Sequence, residues 1–131
     1  MSVFKNKSEI NLEAAALLHD EGHYPAVAHS SYYGCFQFMM HIWVSTLGKT
    51  SSDLEAICKI TKGKTHTVLL NEIVRYISSK DRHDGRTINN SIGSLKKIRV
   101  DSDYKEIEIL FPDSKSALEE SSKTLKLLKK Y

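Results

Sequence analysis

Cysteine and proline are scarce in this chain, with two of each among 131 residues. Cys35 and Cys58 stand on apolar helical ground without CxxC or Cys/His spacing, so both are expected to be reduced core residues. That usage points to the cytoplasm rather than an oxidising compartment. No apolar run approaches the roughly 20 residues that cross a bilayer. Met1 to Lys7 lacks the apolar stretch and small-residue cleavage site of a secretory signal, and no membrane partner is expected. Neither sign of charge prevails: 19 Lys+Arg against 16 Asp+Glu leave a net +3, too little to argue for nucleic acid by itself. A Gly-rich phosphate loop, a GxSxG elbow and an HExxH motif are all missing, as is any serine in a nucleophile context or a marked carboxylate pair. His19 and His23 are four apart, but Gly22 interrupts the helix between them and no third ligand is near. No metal and no cofactor are expected.

The length and the 40% hydrophobic fraction fit one domain spanning residues 1–131. The two prolines, Pro25 and Pro112, both fall where helices begin. Periodicity predicts a first helix from about Ser8 to His19, with Ser8 as N-cap and Ile10, Ala14, Leu17 and Leu18 inward. Gly22 stops it. A second helix runs from Pro25 to Leu47, with Gly48 as its stop. Ser52-Asp53-Leu54-Glu55 reads as a cap followed by one or two turns before Lys62-Gly63-Lys64 breaks the pattern. Further helices are predicted over Thr65–Ser79, Arg86–Ser102 and from Pro112 onward, with Asp81 to Gly85 as a charged turn. Only Ile107 to Phe111 looks strand-like, and it is too short for a sheet. The expected fold is all-α: an antiparallel up-and-down four-helix bundle with an additional short or C-terminal helix.

Polar residues on this apolar frame carry the functional signal. His29, Tyr33, Gln37 and His41 are spaced by four on the second helix and form one stripe. It reads as a pocket wall, a dimer seam, or a partly exposed helix edge. Ala26, Ser30 and Gly34 form a small-residue face beside it, suited to close approach of another helix or a second copy. Arg99 and Asp103 are neighbours at spacing four, with Tyr104 beside them as a cover; a structural ion pair is the plainer reading. Charge is unevenly spread. Residues 59–99 hold ten Lys/Arg against three Asp/Glu, whereas 100–120 hold two against seven. A basic middle of this kind marks an anionic partner's footprint or a set of solvated helix faces. His66 and His83 read as surface residues.

Gly22-His23-Tyr24-Pro25-Ala26-Val27-Ala28-His29-Ser30-Ser31-Tyr32-Tyr33-Gly34-Cys35-Phe36 resembles the tyrosine-bearing helix of HEPN domains, the higher eukaryote and prokaryote nucleotide-binding family. Leu95 to Tyr104, with Arg99, Asp103 and Tyr104 in place, is similar to the Arg-x-x-x-Asp-Tyr signature of a small stand-alone prokaryotic branch. The resemblance covers most of the chain. It implies a four-helix bundle that forms a homodimer and binds a nucleotide, RNA or protein partner, in some cases within a toxin–antitoxin or defence system beside a separate nucleotidyltransferase. Many members are metal-independent endoribonucleases marked by an arginine followed by four to six residues and a histidine. This chain departs from that pattern. Arg75, Arg82, Arg86 and Arg99 all lack the histidine, and after Arg99 the chain offers Asp103-Tyr104-Lys105 instead. The resemblance therefore favours binding over catalysis, with His29, Tyr33, Gln37, Arg99, Asp103 and Tyr104 as the candidate pocket. The alternative is a divergent endoribonuclease in which Arg99 stabilises transition-state charge and Tyr104 or His29 handles protons.

Overall fold

Six α-helices and one π-helical turn make up residues 2–131, which the computed structural model describes; none of the described residues lies in a strand. Helix α1 (Val3–Asp20) starts earlier than Ser8, because Ser2 accepts a hydrogen bond from the Lys5 N–H at 3.1 Å and is the true N-cap. Ser8 is instead buried, donating its hydroxyl to the Gly34 carbonyl at 2.6 Å. The inward face of α1 also differs from expectation. Ser8 and Ala15 are buried while Ile10 and Leu17 remain exposed. The cause lies on α2: a Cβ at Gly34 would stand 2.8 Å from the Leu12 side chain, so α1 and α2 approach too closely for a row of large aliphatics between them. Gly34 thus receives the chain's own α1, whereas Ala26 of the same face is exposed.

Helix α2 (Tyr24–His41) begins with Pro25 in its first turn and runs on as a π turn over Ile42–Thr46. Gly48, at φ +64°, follows where the sequence places the stop. Buried residues occur around nearly its whole circumference, since it packs against α1, α4, α5 and α6. Helix α3 (Ser51–Thr61) is a full helix rather than one or two turns. Thr50 and Asp53 cap it reciprocally: the Asp53 N–H donates to Thr50 Oγ1 at 3.1 Å and the Thr50 N–H to Asp53 Oδ2 at 2.8 Å. It ends on Lys62, which takes a left-handed conformation at φ 56°. A side chain there is strained, so Lys62→Gly is expected to raise stability by about 0.5–1 kcal/mol. Urea unfolding checks this, and a loss of stability would contradict the assigned backbone.

Helices α4 (Thr65–Lys80) and α5 (Arg82–Tyr104) meet without the expected turn. Asp81 caps α5 by accepting from the Asp84 N–H at 3.0 Å, which makes the charged segment the first turn of α5. Gly85 allows this abrupt reversal because its missing Cβ would collide with Ser78. The Ile107–Leu110 link is irregular, with Ile109 turned inward. Helix α6 (Phe111–Leu128) starts at Pro112 with the Asp113 carboxylate accepting from the Leu110 N–H at 3.1 Å, and it buries Ser121, Leu125 and Leu128. The core joins α2 to inward residues of the other helices, including Leu69, Ile73, Ile88, Ile92 and Leu95. Cys35 and Cys58 are both free. No helix among the described residues is long and apolar enough to cross a membrane.

Asp84 ties this frame to the residues after α6. It accepts hydrogen bonds from Lys130 Nζ at 2.7 Å and the Tyr131 hydroxyl at 2.6 Å. These bonds hold the Asp84 carboxyl below its usual range and push the Tyr131 phenol up to about 12. The depressed carboxyl contributes stability that is present above its unfolded pKa and is lost as acid protonates it. The raised phenol contributes stability that is present below 10.0 and is lost as pH rises towards 12. Tyr131→Phe should therefore flatten both limbs of a plot of urea midpoint against pH. Unchanged limbs would count against the bond.

Candidate functional site

Arg99, Asp103 and Tyr104 lie near the end of α5, facing the aromatic row of α2. The Arg99 guanidinium lies over three rings, with its carbon 5.1 Å from the centre of Tyr32, 5.5 Å from Tyr33 and 5.9 Å from Tyr104. Its Nη1 is 3.5 Å from Asp103 Oδ2, and His29 Nδ1 is 3.0 Å from the same oxygen. Only 11% of the Arg99 side chain is exposed. Its Nε is buried with no hydrogen-bond partner among the described residues, and so is Ser102 Oγ one turn further on. A buried donor on a cation left without a partner is costly, and here the stacked rings of Tyr32 and Tyr33 are what face the guanidinium.

Five of the six pocket residues read from the sequence therefore come together: His29, Tyr33, Arg99, Asp103 and Tyr104. Tyr104 is 75% exposed, so it covers the guanidinium from the solvent side only. Gln37 makes no contact with this group that a hydrogen bond records, and its side-chain carbonyl is buried without one. His41, the last of the stripe, stands away from the group and pairs with Ser2.

His66 is the residue that sequence reasoning missed. It is the second residue of α4, and it is half-buried rather than at the surface. Its ring lies 4.2 Å from that of Phe36 and 5.7 Å from that of Tyr33, and its Nδ1 is 2.9 Å from the Tyr32 hydroxyl. Burial, then Arg99 and Lys96, depress its pKa, so it is neutral near pH 7. Burial pushes the Tyr32 phenol up to about 12 although Arg99 opposes the shift, so that hydroxyl keeps its proton. We assign the hydroxyl as donor to Nδ1, which leaves the imidazole proton on Nε2.

Arg99, Tyr104 and His66 border a cavity of about 720 Å³, whereas His29, Tyr33, Gln37 and Asp103 do not line it. Lys64, Thr65 and His66 come from the start of α4, and Lys96, Arg99 and Tyr104 from α5. Among the described residues, three cations line it and no carboxylate does. The Lys64 side chain does not cap α4, so the first-turn N–H groups of that helix add partial positive charge at the same place. The basic middle of the sequence is thereby explained in part: Lys64, Lys96 and Arg99 all belong to it. The arrangement is suited to an anion, which would balance the lysines.

The depressed His66 pKa gives a direct check. A lowered folded value means that protonation opposes the fold, so the contribution of this group is present above 6.5 and is lost as pH falls below it. In a proton NMR titration His66 should titrate below 6.5, and inorganic phosphate should move that midpoint upward by placing negative charge beside the ring. A midpoint that phosphate leaves in place would argue that no anion enters the cavity.

No protein-family model matches the chain, and neither does any curated protein or solved structure.

Proposed function

We propose that this chain is a HEPN-like helical module that binds a phosphate-bearing ligand, a nucleotide or RNA, in the cavity around Arg99. One observation carries the reading: among the described residues, largely buried Arg99 borders a cavity together with two lysines and no carboxylate. In this reading α1, α2, α5 and α6 make the up-and-down four-helix frame, with α4 packed against α5 and α3 as the additional short helix. The module forms a homodimer, supported by the exposed apolar row of Val3, Ile10 and Leu17 on α1. A separate nucleotidyltransferase is its partner in a toxin–antitoxin or defence setting, an element resting on the resemblance alone. Calorimetry with adenosine monophosphate and a short RNA should show saturable, salt-sensitive binding that Lys96→Ala weakens about tenfold, as loss of a charge-assisted contact implies. Binding that ignores both salt and Lys96 would sink the assignment.

A second reading, metal-independent RNA cleavage, has one observation in its favour. His66 supplies from α4 the imidazole that the sequence after Arg99 lacks, and both residues border the same cavity. Neutral near pH 7 and carrying its proton on Nε2, it has a donor that can hydrogen-bond to charge developing on a phosphate oxygen in the transition state. RNA incubated with the protein in EDTA should then be cut, and His66→Ala should slow cleavage about a hundredfold, the typical cost of losing such a donor. Intact RNA after long incubation, with and without a partner protein, would end this reading.

A further inference from the structure

A second, mainly apolar cavity of about 230 Å³ adjoins the cationic one. Phe4, Phe36, Met40 and Leu54 form its apolar walls. The two cavities meet at Thr65, which lines both; the His66 ring borders one and the Phe36 ring, 4.2 Å from it, the other. Their chemistry is opposite. One compartment holds Lys64, Lys96 and Arg99, whereas the only charged side chain of the other is Glu55, which repels an anion.

We infer that the two compartments form one bipartite site for a phosphate monoester, with the phosphate among Lys64, Lys96 and Arg99 and its organic group on Phe36, Met40 and Leu54. The inference rests on the anion-binding reading above and deepens it by naming the ligand class. Charge fixes the orientation, because Glu55 keeps the phosphate out of the apolar side. Size limits the organic group. A cavity of roughly 150 Å³ accommodates benzene, so 230 Å³ takes one ring or a short alkyl chain and not a long acyl chain. Burying one methylene is worth about fourfold in affinity, so a single ring should add tenfold or more.

Calorimetry of the whole chain with inorganic phosphate, methyl phosphate and phenyl phosphate tests this. Phenyl phosphate should bind at least tenfold tighter than inorganic phosphate, with methyl phosphate between them. Ser51, exposed in the first turn of α3, borders the apolar cavity, so Ser51→Phe should fill it without disturbing the core. In that variant phenyl phosphate should fall to the level of inorganic phosphate, whose own affinity stays unchanged. In the unaltered protein, phenyl phosphate should also shift the methyl signals of Met40 and Leu54, a readout independent of the variant's folding. Equal affinity for all three ligands, or unshifted Met40 and Leu54 methyls, would overturn the bipartite site and leave the anion site standing. Failure of all three to bind would overturn the anion site and the inference with it.

Discussion

Trp43→Ala is expected to destabilise the protein by about 3–5 kcal/mol, the range for emptying a well-packed aromatic site. The side chain is fully buried in the π turn that closes α2. It also acts beyond its volume, since its indole N–H donates to the Thr50 carbonyl at 2.9 Å. Thr50 in turn caps α3 with Asp53, so the tryptophan links the end of α2 to the start of α3. The two contributions separate in a second variant. Trp43→Phe keeps most of the buried area and loses the hydrogen bond to an exposed residue whose carbonyl water can reach, so it should cost only about 1–2 kcal/mol. The chain has one tryptophan, so circular dichroism in urea must replace intrinsic fluorescence as the readout. Hydrogen exchange should show the amides of α3 opening first in Trp43→Ala. A loss below about 1 kcal/mol would contradict the packing described for the π turn.

Much of the helical frame was legible because its punctuation is chemical: Pro25, Gly48 and Pro112 mark ends that local backbone preference alone determines. The orientation of α1 was not, because it carries two competing rows. Ile10 and Leu17 are the larger and more apolar, and burial by size alone selects them. The close approach at Gly34 instead turns Ser8 and Ala15 inward, and that approach is a property of the helix pair rather than of α1. The α4–α5 junction was hidden for a similar reason, since Gly85 against Ser78 is a contact between helices. At the site, the i, i+4 spacing of Arg99 and Asp103 already placed them on one face, whereas Tyr104, five residues on, carried no such signal. His66 had no such signal: only the meeting of α4 with Tyr32 and Phe36 brings it there. The one trace it left was regional, the basic excess between residues 59 and 99 that includes Lys64 and Lys96.

Arg99→Ala should weaken phosphate binding about 10- to 100-fold, as expected when a charge-assisted hydrogen bond worth about 1.5–3 kcal/mol is removed from a largely desolvated site. The geometry explains why lysine should not restore it. The guanidinium is planar, lies over three aromatic rings and presents Nε separately from the Nη1 that faces Asp103. An ammonium keeps the charge but has no plane to stack and no second edge, so Arg99→Lys should recover part of the affinity at most. Loss of binding alone would not separate a direct contact from a rearranged site. His66 supplies that separation. Arg99 is among the charges that depress its pKa, so Arg99→Ala should move the His66 midpoint up towards 6.5 in the absence of any ligand. The Tyr32 phenol, which Arg99 holds down against burial, should move up from about 12 in the same variant. Weaker phosphate binding with both His66 and the Tyr32 phenol raised means that the cavity kept its shape and lost its cation. A rearranged site opened to water would raise His66 but lower the phenol. Unchanged binding would remove Arg99 from the site, and an unchanged His66 midpoint would show that the two residues do not face each other across the cavity.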